Sequence, residues 1–137
     1  MAIDLVINCA GTVGVSGQRT GHVDYDSGAR VLDVNTMGPL RVLEAFIDSI
    51  ACSERRLVVT ITSGMGSLSD NTFGGAIAYR TSKAALNMVM RSAAIDLAPR
   101  RITCVVVNPG WVKTDMGGSQ ATLTPQDSVS AHAYFSG

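Results

Sequence analysis

Tyr79 and Lys83 stand four residues apart, and Lys83 is one of only two lysines in the 137-residue chain. On a helix, positions i and i+4 share a face with Cβ atoms about 5–6 Å apart, so the ammonium reaches the neighbourhood of the phenol. A free tyrosine titrates near 10, and bringing it toward neutrality takes roughly 3 units, or about 4 kcal/mol. One positive charge at about 4 Å supplies that much at an effective dielectric near 20. The pair is therefore suited to moving a proton. Ser63 follows the apolar run Leu57 to Thr62, just past a strand, where open α/β sheets bind ligands. Asn35 lies inside the helical pattern of Val31 to Ile50, and Pro39 bears on it. A proline cannot donate to the carbonyl four residues earlier, which here belongs to Asn35. Either that carbonyl is left as a free acceptor, or Pro39 marks a plain kink or a helix boundary at Gly38.

The elements that would position these residues are legible in the apolar pattern. Ile3 to Ile7, Leu57 to Thr62 and Ile102 to Val107 are short, continuous and rich in β-branched residues. Such runs predict strands buried on both faces, as in a parallel sheet. Between them, Val31 to Ile50 and Ala76 to Leu97 carry helical periodicity, the second stopped by Pro99. The pattern is βαβαβ. With right-handed crossovers it gives about three parallel strands with helices packed on them, a partial doubly wound, Rossmann-like α/β sheet within one domain over residues 1–137. The tail from Gly117 to Gly137 is rich in Gly, Ser, Thr and Ala and reads as loop or frayed helix.

At this point the chain resembles the short-chain dehydrogenase/reductase family, whose catalytic Asn, Ser, Tyr and Lys match Asn35, Ser63, Tyr79 and Lys83 in order and type. The resemblance runs from about Asp4 to Gly118. It takes in Asn8-Cys9-Ala10-Gly11 in place of the usual Asn-Asn-Ala-Gly, Thr62-Ser63-Gly64-Met65-Gly66-Ser67, and Asn108-Pro109-Gly110-Trp111-Val112-Lys113-Thr114. Tyr-Arg-Thr-Ser-Lys and Gly-Trp-Val-Lys-Thr-Asp-Met-Gly-Gly are most similar to the C-factor and Sniffer-like branch. The resemblance implies hydride transfer between NAD or NADP and a carbonyl or alcohol. Tyr79 would exchange the proton, Ser63 would hold the substrate oxygen, Lys83 would depress the Tyr79 pKa and bind the ribose, and Asn35 would organise a proton relay through its main chain. Asn8, Ala10 and Gly11 match the adenosine-side cofactor segment, and Pro109, Gly110, Val112 and Thr114 the nicotinamide side. Relative to many members, Asn71 to Gly75 lengthen the interval between Ser63 and Tyr79.

The family's glycine-rich phosphate turn has no counterpart. Gly11, Gly14 and Gly17 are spaced G-x-x-G-x-x-G, and Gln18 to Asp24 do not open an apolar-periodic helix. The chain reads as beginning at what would be the family's fourth strand. Binding of either dinucleotide by this chain alone is accordingly expected to be weak or absent.

Composition narrows the remaining classes. Net charge is zero with scattered arginines, so no basic stripe offers itself to nucleic acid. No apolar run approaches the about 18 residues of a membrane span, and the start lacks a signal-peptide pattern, which makes a soluble cytoplasmic setting the expectation. Cys9, Cys52 and Cys104 show no Cys-x-x-Cys spacing and read as reduced packing residues, while His22 and His132 lack the carboxylate or cysteine company of a metal site. Three expectations stand side by side: an oxidoreductase acting on a small-molecule carbonyl or alcohol, a non-catalytic interaction or signalling module that keeps the fold, and an incomplete, poorly folded piece. In either of the first two, a homo-oligomer or a partner bound through the long helices or the open sheet edge is expected.

Overall fold

A computed structural model describes residues 1–132. Three parallel strands form one sheet in the order β1 (Leu5–Asn8), β2 (Leu57–Ile61), β3 (Thr103–Val107). Leu5 pairs with Leu57 and Leu57 with Thr103, so equivalent rows run across all three strands. Each β-branched run thus gives a strand within two residues of the expected bounds.

The first crossover begins earlier than its apolar pattern predicts. Helix α1 spans Tyr25–Leu32, where Asp24 caps the helix by accepting from the Ser27 N–H at 2.8 Å. An aspartate at that position satisfies one of the orphaned N–H groups, so the helix starts without apolar residues to mark it. A π-helical turn over Asp33–Met37 follows and leads into α2 (Gly38–Ala51), with Pro39 in its first turn. The expected kink or boundary at Gly38 is thus a π-turn, in which Gly38 N–H reaches back to the Asp33 carbonyl. Such turns insert one residue into a helix and occur often at functional sites. The second crossover contains a 3-10 turn, Gly64–Gly66, and the long helix α3 (Ile77–Asp96). In the tail, α4 (Pro125–His132) opens on a reciprocal cap: Thr124 Oγ1 accepts from Asp127 N–H, and Asp127 Oδ2 accepts from Thr124 N–H. Residues 133–137 lie outside the described residues.

The core lies on one side of the sheet. Val6 and Val58 pack with Leu43 and Ile50 of α2 and Leu86, Met90 and Ala93 of α3. On the other side Leu5 and Ile7 are 37% and 57% exposed, and Val105 is 37% exposed. The expectation of strands buried on both faces is therefore corrected: the runs are apolar throughout, but α2 and α3 cover only one face. The cysteine reading is corrected as well, because Cys9 and Cys52 are exposed; all three cysteines are free thiols.

Candidate functional site

Lys83 anchors the site. It projects from α3, is only 4% exposed, and its Nζ donates to the Ile61 carbonyl at the end of β2 at 3.0 Å. Burial pushes its pKa below the usual lysine value of 10.5, partly opposed by an electrostatic contribution from nearby Cys9. The ammonium has three donors, so the bond to Ile61 leaves two for other partners. One turn earlier on α3, the Tyr79 ring lies with its centroid 5.9 Å from Nζ, within cation–π range. The Tyr79 hydroxyl makes no hydrogen bond among the described residues, and the residue is half-buried. The i, i+4 spacing thus brings ammonium and phenol together.

Asn35 reaches the same place from the π-turn. Fully buried, it accepts from Thr12 N–H at 2.8 Å through Oδ1, and its Nδ2 donates to the Thr12 carbonyl and to Ser82 Oγ at 2.8 and 2.9 Å. Ser82 in turn donates to the Tyr79 carbonyl, and Thr36 Oγ1 donates to the Ser82 carbonyl. This lattice fixes the π-turn to the part of α3 that carries Tyr79 and Lys83. It uses up the Asn35 side chain and leaves its main chain, in the π-turn four residues ahead of Pro39, as the remaining polar part of the residue.

Gly11 lies against both groups: a Cβ there would be 3.6 Å from Asn35 Oδ1 and 3.8 Å from Lys83 Nζ. Ser63 is linked less directly. Its hydroxyl caps the Gly64–Gly66 turn by accepting from Met65 N–H at 3.1 Å. That turn is seated on α3 at Lys83, where a Cβ on Gly66 would fall 2.9 Å from the Lys83 carbonyl carbon. No hydrogen bond joins Ser63 to Tyr79.

The residues matched to cofactor segments are differently placed. Asn8 is buried and its Nδ2 donates to Thr60 Oγ1, so its amide serves the core first. Ala10 and Gly11 are exposed beyond the end of β1. Past β3, the Pro109 carbonyl accepts from Ser128 Oγ of α4, and Gly110 has a left-handed φ of +78°. Val112 pairs with Leu123, and the exposed Thr114 hydroxyl accepts from Gly117 N–H. Gly11, Gly14 and Gly17 lie in the loop before α1, whose N-terminus is taken by the Asp24 carboxylate.

Sequence reasoning did not single out Ser82, Thr36, Thr12 or Gly66. Ser82 had a signal, as a small hydroxyl residue beside Lys83, and Gly66 had one as part of the motif around Ser63; Thr12 and Thr36 had none, because their roles depend on contacts across the fold.

Comparison with known proteins identifies the family and the fold. The short chain dehydrogenase family model matches residues 1–123. C-signal of Myxococcus xanthus is 50% identical over 127 residues, covering 93% of this chain and 76% of that protein. The carbonyl reductase Sniffer of D. melanogaster superposes with a TM-score of 0.86 at 37% identity, covering 93% of this chain and 56% of that one. An NADPH-bound carbonyl reductase from chicken fatty liver gives 0.85 at 32% identity, with 94% and 54% covered. This chain therefore spans only a little over half of those two reductases. With its Rossmann-like parallel sheet and a likeness to C-signal and to Sniffer, the chain belongs to the short chain dehydrogenase family.

Proposed function

We propose that this chain carries the catalytic part of an NAD(P)(H)-dependent oxidoreductase acting on a small-molecule carbonyl or alcohol, with Asn35, Ser63, Tyr79 and Lys83 as its tetrad. The observation that carries the reading is the buried Lys83 ammonium beside the Tyr79 ring, with Asn35 within reach of the same glycine. Tyr79 gives its proton to the substrate oxygen during reduction and takes it back during oxidation. The Lys83 ammonium stands beside the Tyr79 ring, 5.9 Å from its centroid, and so keeps a positive charge next to the proton-donating group. Ser63 holds the substrate oxygen by hydrogen bond, and the Asn35 carbonyl holds the water that returns the proton from solvent to Lys83.

The nicotinamide cofactor, when bound, supplies or accepts the hydride. Lys83 and Tyr79 would hold its ribose, and Pro109, Gly110, Val112 and Thr114 its nicotinamide side. The missing Cβ at Gly11 leaves room beside Lys83 for that half. Asn8, Ala10 and Gly11 would meet the adenosine side. The phosphates find less here, since the helix N-terminus after β1 is already capped by Asp24. We therefore expect either dinucleotide to bind this chain more weakly than the micromolar range, about −8 kcal/mol. Calorimetry tests this, and tight binding by a monomer would overturn it.

The catalytic assignment is tested by Tyr79→Phe. In a carbonyl-reduction assay with NADPH, the variant should lose about 10²–10⁴-fold in turnover while its circular dichroism stays unchanged. Unchanged turnover would sink the tetrad.

A second reading is favoured by the bare sheet face: an interaction module in which a second copy pairs along the β1 edge and covers Leu5 and Ile7. Sedimentation together with the carbonyl-reduction assay tests this second reading: it expects association without turnover, and turnover by the chain would overturn it.

A further inference from the structure

A cavity of about 360 Å³ lies between the segment following Gly66, the first turns of α3 and the Arg19-Thr20 loop, and neither Asn35, Ser63, Tyr79 nor Lys83 lines it. The helix explains the separation. Successive residues turn by about 100°, so Ile77, Arg80, Thr81 and Ala84, at i, i+3, i+4 and i+7, form a face distinct from that of Tyr79 and Lys83. Gly66 stands between the two regions, lining the cavity while its backbone rests on Lys83.

Three independent sources of positive potential meet there. Arg80 is half-buried, and its Nε–H is fully buried with no acceptor. Among the described residues Arg19 is bonded through its backbone, to His22, and its guanidinium has no partner. Among the described residues no aspartate or glutamate lines the cavity, and the ion pairs of Arg41 with Asp33 and of Arg100 with Asp48 do not involve its residues. The third source is the start of α3. Ala76 precedes it at φ 43° without any side-chain cap, after Gly74 and Gly75, both at φ +66°. The first N–H groups of this 20-residue helix are thus left to whatever fills the space in front of them. Arg80 and Arg19 both line this space, and a charged acceptor forms the strongest hydrogen bond a guanidinium can make.

We propose that this cavity binds the carboxylate or phosphate group of a small molecule, held by Arg80, Arg19 and the uncapped N-terminus of α3. The size fits, being at the lower end of small-molecule sites. Ser67, Asn71 and Thr81 line the same cavity and supply neutral hydrogen-bonding groups around the charge. The site stands apart from the tetrad and does not depend on the oxidoreductase reading.

Amide NMR of the chain, titrated with inorganic phosphate and, separately, succinate against sodium chloride at matched ionic strength, tests the assignment. Saturable shifts at Gly66, Gly74, Gly75 and Ile77 with either anion, absent with chloride, are expected. Arg80→Gln should weaken binding by about tenfold or more, and Arg19→Gln by less, since hydrogen bonds to charged groups are the strong ones. Ala76→Asp is the decisive variant. Aspartate tolerates the left-handed backbone and would set a carboxylate at the start of α3, so anion affinity should fall while the fold is kept. Shifts reproduced by chloride, or affinity unchanged in Ala76→Asp and Arg19→Gln, would overturn the proposal even if Arg80→Gln failed to fold.

Discussion

The two faces of the sheet are built from the same kinds of residue and have opposite fates. In adjacent rows of the register, Val6 and Val58 are buried beneath α2 and α3, whereas Ile7 and Val105 remain substantially exposed. The difference teaches that β-branched composition makes a strand but does not bury it. Burial comes from what packs on the face, and here α2 and α3 lie on one side.

The comparison breaks most readily under truncation. Ile50→Ala or Met90→Ala, on the covered side, should cost about 2–5 kcal/mol in urea unfolding, because a fully buried side chain leaves a cavity. Ile7→Ala, on the bare side, should cost well under that. Equal losses would mean that both faces are covered in solution. Gly66→Ala comes next, at about 1–3 kcal/mol, since its new methyl meets α3 backbone at Lys83 rather than a yielding side chain. Any turnover should fall with it, as the turn that carries Ser63 is pushed off the helix.

Lys83 sharpens the contrast in another way, as a buried cation on the covered side. Its proton is held less tightly in the folded chain than in the unfolded one, so between the folded value and about 10.5 the unfolded state holds more protons. Stability contributed by this group therefore rises with pH across that interval, and the penalty is present in full below it. Lys83→Met should flatten this alkaline rise in denaturation midpoints; an unaltered slope would refute the burial cost. The smallest effect on stability belongs to Ile7→Lys, expected within about 0.5 kcal/mol of the parent. Its readout is sedimentation, where the charge should lower any association through the β1 edge; an unchanged association constant would place the contact elsewhere.

Much of this was legible in the residues. The strands showed as continuous apolar runs, α3 as a periodic segment stopped at Pro99, and the pairing of Tyr79 with Lys83 as a spacing. Less visible was anything that depends on an exception to periodicity. Helix α1 begins on Asp24 without an apolar stripe, and the π-turn around Asn35 announces itself only through Pro39, which also suits a kink. The hydroxyls of Ser82 and Thr36 look like ordinary polar residues until the fold buries them against Asn35. The bare face could not be read from β1 itself, because exposure is a property of absent neighbours.

The hydrogen bonds that assemble the site also set an order in time. Asn8 reaches Thr60 across 52 positions of chain, and Asn35 reaches Ser82 across 47. Closing loops of that length is entropically slow, and folds dominated by such distant pairings form late compared with helical ones. During synthesis β1 waits, unpaired and apolar, until β2 has emerged, and Asn35 waits longer for α3. The constellation around Lys83 thus cannot exist before α3 has emerged, and a chain interrupted between Ser63 and α3 would own Asn35 and Ser63 and none of the site's geometry.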